Sequence, residues 1–206
     1  MIEWNDYADA AVSTAIYPGR GMKLGLLYAT QGLRGEAGEV CEHGKKLLRD
    51  DGGQLTAERR GQFQKELGDV CWYAAAVGFE SRFELGSATI RDQKDWPEQL
   101  NYVGRGTAIG INYATARMHS ATAKAGDFAL RVMPYVLEDG QNWTEAIDQG
   151  RKIRASIRTS IAHVMFWASE VCVATDLSLA MVMRANLEKL ADRRDRGVLQ
   201  GGGSER

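Results

Sequence analysis

Four acidic residues are spaced so that they can meet on two neighbouring helices. Glu36 and Glu39 lie three positions apart, Glu66 and Asp69 repeat that spacing, and 26 residues separate Glu39 from Glu66. Residues three apart in an α-helix project from the same face on successive turns. If the two helices pack antiparallel, the four carboxylates converge, and their mutual repulsion requires a counter-charge. Magnesium prefers carboxylate oxygens, water and substrate phosphates, so it is the expected ion, with manganese as a substitute.

The alternative is that each pair belongs to an ordinary solvated helix face, which is the better interpretation of a lone pair. Here both pairs interrupt apolar stretches rich in Ala and Gly, GLRGEAGEVC and QKELGDVCWYAAAV. Solvated glutamates are less expected in such surroundings, so the metal-site interpretation is favoured. A di-iron site is disfavoured because ferritin-like sites use Glu-x-x-His pairs, which these acids lack.

The elements that carry these acids are predicted to be helices. The chain has only three prolines in 206 residues, and residues that favour helices are frequent. One buried stripe at three- and four-residue steps is predicted in the third helix, formed by Phe63, Leu67, Val70, Ala74 and Val77. The fold class is therefore all-α, an antiparallel helical bundle. The predicted helices of the first half cover about 3–16, 24–49, 58–80 and 83–94, and the last helix covers about 177–194 after an N-cap at Asp176.

The chain is predicted to contain two tandem repeats. Residues 17–30 (YPGRGMKLGLLYAT) and 102–115 (YVGRGTAIGINYAT) are identical at eight of fourteen positions, at an offset of 85. A second register, with an offset of 94, aligns residues 60–94 with 154–188. The change of offset needs a nine-residue longer loop around residues 137–142. Two similar amphipathic helices explain the second match but not the first.

The acidic segments resemble the MazG-like all-α nucleoside triphosphate pyrophosphohydrolases. The segment GLRGEAGEVCEHGKK followed by KELGDVCWYAAAV carries that family's Glu-x-x-Glu and Glu-x-x-Asp pattern. Near the C-terminus, NLEKLADRR resembles the family's Asn-x-x-Lys-Leu segment on the last helix. The resemblance covers about residues 20–80 and 165–193.

The resemblance implies magnesium-dependent cleavage of a nucleoside triphosphate, expected to be a deoxynucleotide, to the monophosphate and pyrophosphate, in nucleotide-pool control or housecleaning. Glu36, Glu39, Glu66 and Asp69 would be the catalytic metal ligands. Glu39 is the favoured general base. The expected substrate-binding residues are His43, Lys46, Tyr73, Asn186, Lys189 and Arg193. His43 and Lys46 continue the stripe of Glu36 and Glu39, although Lys46 equally fits an ordinary basic last turn.

The duplication predicts a fused pseudo-dimer with one metal site. In the two registers, the four acids correspond to Ala121, Lys124, Ser160 and His163. The expected division is a catalytic repeat at 1–96, a degenerate repeat at 97–194 that completes the bundle, and a Gly-rich tail at 195–206. The alternative topology is a single bundle with a long insertion between about residues 77 and 161.

Composition limits the other function classes. A net charge of −1 argues against binding nucleic acid by bulk charge. No window approaches eighteen apolar residues, and the N-terminal residues lack the pattern of an export signal, so neither membrane insertion nor export is expected. A cytoplasmic protein, with a homodimer left open, is the default expectation.

Three other functions stay open from the sequence. A dUTPase- or dCTPase-type enzyme would share the all-α fold and would also cleave diphosphates. A phosphoribosyl-ATP pyrophosphohydrolase would have similar acids, but the second half and the Gly-rich tail are not expected of it. A helical interaction protein whose acids merely bind a cation would hydrolyse no triphosphate.

Overall fold

Six α-helices make up most of the part of the chain that the computed structural model describes, residues 3–88, 106–132 and 148–198, and no strand occurs there. A short 3-10 turn, Leu85–Ser87, follows the third helix. The all-α prediction is therefore confirmed for these residues. The helices are α1 (Trp4–Val12), α2 (Lys23–Arg49), α3 (Ala57–Glu80), α4 (Ala108–Val132), α5 (Asp148–Ala174) and α6 (Leu179–Asp195).

The helices α2, α3, α5 and α4 form a ring, in which each packs against two other members of the ring. α2 contacts α3 and α4, and α5 contacts the same two helices. α2 and α3 run antiparallel, because Gly32 lies against Tyr73 whereas His43, further along α2, lies against Phe63. α1 and α6 pack on the outside of α3 and touch each other. α3 therefore packs against α1, α2, α5 and α6, and it carries half of the acidic motif.

Apolar periodicity places the core as predicted. All five residues of the α3 stripe, from Phe63 to Val77, are buried. On α2 the buried large side chains recur every seven residues, at Leu26, Leu33, Val40 and Leu47. A helix that buries such a stripe presents its polar residues to its flanks, and this fixes the rotation of α2 and α3 and hence the direction of their acids.

The ends of two elements differ from the prediction. α1 ends at Val12 instead of about residue 16, because Ser13 and Thr14 donate their hydroxyls to the carbonyl oxygens of Ala10 and Ala11. Such local hydrogen bonds compete with helix continuation. Of the helix expected at 83–94, the described residues contain only the 3-10 turn, and residues 89–94 lie outside them.

The predicted N-cap at Asp176 is wrong. Asp176 has a positive φ of 56° and ends α5, where Leu177 N–H donates to Cys172 O and Asp176 N–H to Val173 O. This is a Schellman ending, whose C′ residue must adopt the left-handed conformation and cannot also be a helix N-cap. Ser178 precedes α6 instead.

Backbone landmarks recur at the two proposed offsets. α2 begins at Lys23 and α4 at Ala108, 85 positions apart, and each follows a glycine with φ near 80°, Gly21 and Gly106. α3 and α5 end 94 positions apart, and the left-handed residues after them, Arg82 and Asp176, keep that spacing. The duplication itself stays a prediction, and its longer loop at 137–142 and the 96/97 boundary lie outside the described residues.

None of the helices in the described ranges is by itself long and apolar enough to cross a lipid bilayer. The cytoplasmic location stays a prediction.

Candidate metal site

Three of the four acids lie together where α2 passes α3. One carboxylate oxygen each from Glu36, Glu39 and Glu66 lies within 4.8 Å of the other two. Glu66 is buried, Glu36 is half-buried and Glu39 is exposed, so the group opens to solvent at Glu39. The structure therefore brings three predicted metal ligands from two antiparallel helices to one point, which we call the acidic group.

Asp69 lies beside the acidic group but is engaged elsewhere. Its Oδ1 accepts from Lys189 Nζ at 2.5 Å and from Asn186 Nδ2 at 3.1 Å, both on α6. The charge of Asp69 still acts on the acidic group, since after burial it is the largest contribution to the raised pKa of Glu36. Lys189 thus supplies a positive counter-charge to Asp69.

Glu36 is where the like charges conflict most. Burial, which is the largest cause, and the charges of Asp69, Glu39 and Glu66 together raise its pKa to about 7, and Lys189 opposes the rise. Glu36 is therefore partly protonated near neutral pH unless a cation relieves the repulsion. A carboxylate whose ionisation depends on a neighbouring positive charge is a suitable ligand for a divalent cation.

Glu66 is held in its charged form by its neighbours. Burial favours the neutral carboxyl, but the His43 imidazole and the Lys65 and Lys189 ammonium groups outweigh it and lower the pKa of Glu66. His43 Nε2 lies 3.8 Å and Lys65 Nζ lies 3.7 Å from Glu66 Oε1. Glu66 is thus the member of the acidic group whose negative charge is stabilised by its neighbours.

His43 faces the acidic group in a defined tautomer. Its Nδ1 lies 3.3 Å from Nη1 of Arg59, and Arg59 is fixed by an ion pair to Asp51, at 2.7 Å, and by Gln62. A guanidinium can only donate. Nδ1 must therefore accept, which leaves the proton of a neutral ring on Nε2, the nitrogen that points at Glu66.

Lys46 has its ion pair outside the acidic group. Its ammonium lies 3.8 Å from Glu42 Oε1, and Lys45 pairs with the same glutamate at 2.5 Å. This arrangement fits the ordinary basic last turn of a helix better than a phosphate contact. Lys65 and Lys189 are the lysines that lie against the acids.

Tyr73 is packed against the bare backbone of α2 at Gly32. A Cβ atom at position 32 would lie 2.1 Å from the Tyr73 ring. Burial and a hydrogen bond with Tyr28 raise the pKa of Tyr73, and the charges of Glu36 and Asp69 add to the effect. Tyr73 therefore borders the acidic group, and the partly exposed Tyr28 lies next to it, with the two rings 6.3 Å apart.

A buried chain of hydrogen bonds fixes Asn186. Tyr7 on α1 donates its hydroxyl to Asn186 Oδ1 at 2.8 Å, and Asn186 Nδ2 donates to Asp69. Gly68 leaves space for the Asn186 side chain, since a Cβ atom at position 68 would lie 3.0 Å from the Cβ atom of Asn186. Helices α1, α3 and α6 are thus joined at Asp69.

Arg193 lies one turn after Lys189 on α6. Its Nε is buried and has no hydrogen-bond partner among the described residues. A buried guanidinium donor without a partner is costly, and an anionic group would satisfy it. This leaves the predicted role of Arg193 in substrate binding open to test.

Several residues of this site are not predicted from the sequence. Arg59 and Tyr7 are not predicted because their roles depend on contacts between helices, and Lys65 is not predicted because no motif marks it, although it adjoins Glu66 in the sequence. Only Gly32 and Gly68 carried a usable signal, since a glycine within an otherwise regular helix often marks a close approach of another element.

Comparison with known proteins finds a relative encoded by a phage. The chain is 47% identical over 89 residues to the Gene 37 protein of Mycobacterium phage L5, an alignment that spans 42% of this chain and 78% of the phage protein. The chain belongs to the same family as that phage protein. Since 89 residues are 78% of it, the phage protein has about 114 residues, little more than half of this chain. No protein-family model matches the chain, and no solved structure does.

Proposed function

We propose that the chain is a magnesium-dependent nucleoside triphosphate pyrophosphohydrolase of MazG-like type, which yields a nucleoside monophosphate and pyrophosphate. The observation that carries the proposal is the meeting of Glu36, Glu39 and Glu66 within 4.8 Å, beside Asp69 with its α6 partners. Such an arrangement joins a cation site to cationic donors for phosphate, which phosphoryl chemistry requires.

The donor set fits a hard divalent cation. All of its members are carboxylates, and the charge conflict at Glu36 is what a cation would relieve. Glu36, Glu39 and Glu66 would hold the ion, and Asp69 would join them if Lys189 moved to a phosphate. When bound, magnesium would neutralise charge on the phosphate oxygens and acidify the attacking water.

The protein's own groups would then position the reaction. Water adds to the α-phosphorus, its proton passes to a carboxylate, and the bond to the oxygen that bridges the α- and β-phosphates breaks. Glu39 is the exposed acid and can be reached by water, so it remains the favoured base. Lys189 and Arg193 would hold phosphate oxygens, and Tyr73 would border the rest of the nucleotide.

We further propose that the chain is a fused pseudo-dimer with one such site. Support comes from the matched left-handed residues Gly21 and Gly106, and Arg82 and Asp176. Further support comes from a relative of about half the length. The second half has Ala121, Lys124, Ser160 and His163 in place of the acids, so it would complete the bundle without binding metal.

The test is a panel of ribo-, deoxy- and modified nucleoside triphosphates with magnesium, with pyrophosphate and phosphate separated as products. We expect pyrophosphate and monophosphate from wild type. Replacing Glu66 or Glu36 with Gln should lower kcat at least 100-fold, because each removes a ligand of the site. Glu42→Gln is the matched control, since Glu42 lies on the same helix but pairs with Lys45 in solvent.

The products also decide between the alternatives. Phosphate released from a nucleoside diphosphate would point to a dUTPase- or dCTPase-type enzyme, and turnover of phosphoribosyl-ATP alone would point to the histidine-pathway enzyme. No hydrolysis of any substrate, with cation binding retained, would leave the helical interaction protein.

A further inference from the structure

A small cavity lies between α3 and α6, next to the acidic group. Its volume is about 190 Å³, and its polar lining consists of Lys65, Lys189, Gln64 and Asn186. The rest of its lining is glycine and alanine, including Gly61, where an added Cβ would meet nothing within 4 Å. No acidic residue lines it. The charged residues of its lining are therefore both lysines, and each of them pairs with an acid outside the lining, Glu66 or Asp69.

Two lysines are shared between this cavity and the acids. Lys65 Nζ lies 3.7 Å from Glu66 Oε1, and Lys189 Nζ lies 2.5 Å from Asp69 Oδ1, while both side chains line the cavity. Their side chains are 32% and 23% exposed, so an anion that enters from solvent can reach them. Positive charge is thus concentrated at the boundary between a candidate metal site and an empty space.

We propose that this cavity binds the outer two phosphates of the triphosphate, the group that leaves as pyrophosphate, and that Lys65 is a phosphate-binding residue. The assignment of the ligand rests on the proposed function. The α-phosphate would lie at the acidic group, and the β- and γ-phosphates would lie in the cavity, where Lys65 and Lys189 contact them. Lysine donates to phosphate as a compact point charge, which suits a space bounded by bare helix backbone.

The direct test is calorimetric titration of the full chain with pyrophosphate, with magnesium present throughout. Lys65→Gln should weaken pyrophosphate binding about ten-fold or more, because it removes one charged donor. Lys65→Arg should bind nearly as wild type. Lys45→Gln removes the same charge from a lysine that also pairs with a glutamate, Glu42, but lies away from the cavity, and it should bind as wild type.

A second variant tests the cavity without changing its charge. Gly61→Leu places an apolar side chain in the open space and should weaken pyrophosphate binding, while circular dichroism shows the helices intact. The proposal is overturned if wild type does not bind pyrophosphate, if Lys65→Gln binds it as well as wild type, or if Lys45→Gln weakens binding equally.

The outcome separates this proposal from the proposed function. If no triphosphate is hydrolysed but pyrophosphate binding depends on Lys65, the enzyme activity fails and the anion subsite stands. If triphosphates are hydrolysed but Lys65→Gln leaves inhibition by pyrophosphate unchanged, the activity stands and the subsite is refuted.

Discussion

Individual side chains in the acidic group are in electrostatic conflict, and the conflict is uneven. Glu66 keeps its charge because His43, Lys65 and Lys189 surround it, whereas Glu36 lies among carboxylates with only Lys189 to oppose them. The difference follows from position rather than residue type. If a cation binds to the acidic group, the ionisation of Glu36 should therefore change most.

The raised pKa of Glu36 predicts a pH-dependent stability of the metal-free protein. In the folded chain the pKa is about 7, against an ordinary value of 4.5. Between these values the native state binds a proton that the unfolded chain does not, so this group's contribution to the free energy of unfolding falls as pH rises. With solvent screening taken into account, we expect a loss of about 1–2 kcal/mol by pH 8.

Urea unfolding with a chelator, at pH values from about 5 to 8, measures this effect. Glu36→Gln should remove that part of the slope and should stabilise the metal-free protein at pH 8. Glu42→Gln should leave the slope as in wild type. A wild-type stability that rises between pH 6 and 8, with the same rise in Glu36→Gln, would contradict the prediction.

At the scale of the elements, close helix contacts depend on residues without side chains. Tyr73 fits against α2 only at Gly32, and Asn186 fits against α3 only at Gly68. These contacts set the distance of α3 from its two neighbours, and therefore the position of the acids and of Lys189. A glycine in a helix interior costs about 1 kcal/mol relative to alanine, which is offset here by the contact that it allows.

Two glycines on α2 provide a matched comparison. Gly32→Ala should destabilise the protein by about 1–3 kcal/mol, because the new Cβ overlaps the Tyr73 ring and forces it to move. Gly35→Ala should stabilise it by up to about 1 kcal/mol, since that position has open space and gains helix propensity. Both are measured by urea unfolding. Equal effects would mean that Tyr73 adapts freely.

The end of α5 offers a stabilising substitution. Asp176 holds a positive φ at its C′ position, and its pairing with Arg60 is 3.6 Å long and largely solvated. Asp176→Gly should therefore stabilise the protein by about 1 kcal/mol, measured as a shift in the midpoint of thermal unfolding. Glu188→Gly, in the exposed interior of α6, should lower that midpoint. A loss of stability in Asp176→Gly would show that its side chain matters.

The helices were predictable and their ends were less so. The α3 stripe is predictable because buried positions recur at the helical period. The three-residue spacing of the acids likewise predicts that Glu36 and Glu39 share one face of α2, which the structure places beside Glu66. An aspartate before a helix is typical of an N-cap, so the sequence predicts one at Asp176, whereas the left-handed position that ends α5 is usually occupied by Gly or Asn and is not signalled by an aspartate. The engagement of Asp69 by Asn186 and Lys189 depends on the distance between α3 and α6, which spacing along the chain does not contain.

For the whole molecule, the ring of α2, α3, α5 and α4 places two helix hairpins against each other. Only the first hairpin carries the acidic group. In the proposed pseudo-dimer the second hairpin keeps its core residues, such as Ile157, Ile161 and Val164, which are all buried. Its surface positions are free to change, which explains lysine and histidine where the first half has acids.

The pseudo-dimer predicts metal binding in the first half alone. Manganese titrated into wild type, followed by calorimetry or electron paramagnetic resonance, should bind, and the double variant Glu36→Gln, Glu66→Gln should give a flat isotherm. Substitution of Lys124 and His163 by Ala should leave manganese binding unchanged. Binding that persists in the double variant and falls in the Lys124 and His163 variants would place a cation in the second half.

The helix that engages Asp69 comes from far along the chain. Asn186 and Lys189 follow Asp69 by 117 and 120 residues. During synthesis Asp69 therefore leaves the ribosome well before Asn186 and Lys189, the two side chains that engage it, with α4 and α5 in between. A nascent or prematurely terminated product that stops before α6 would leave Asp69 without both partners and would remove one of the positive neighbours of Glu66, so this side of the acidic group is assembled only when translation has passed α6.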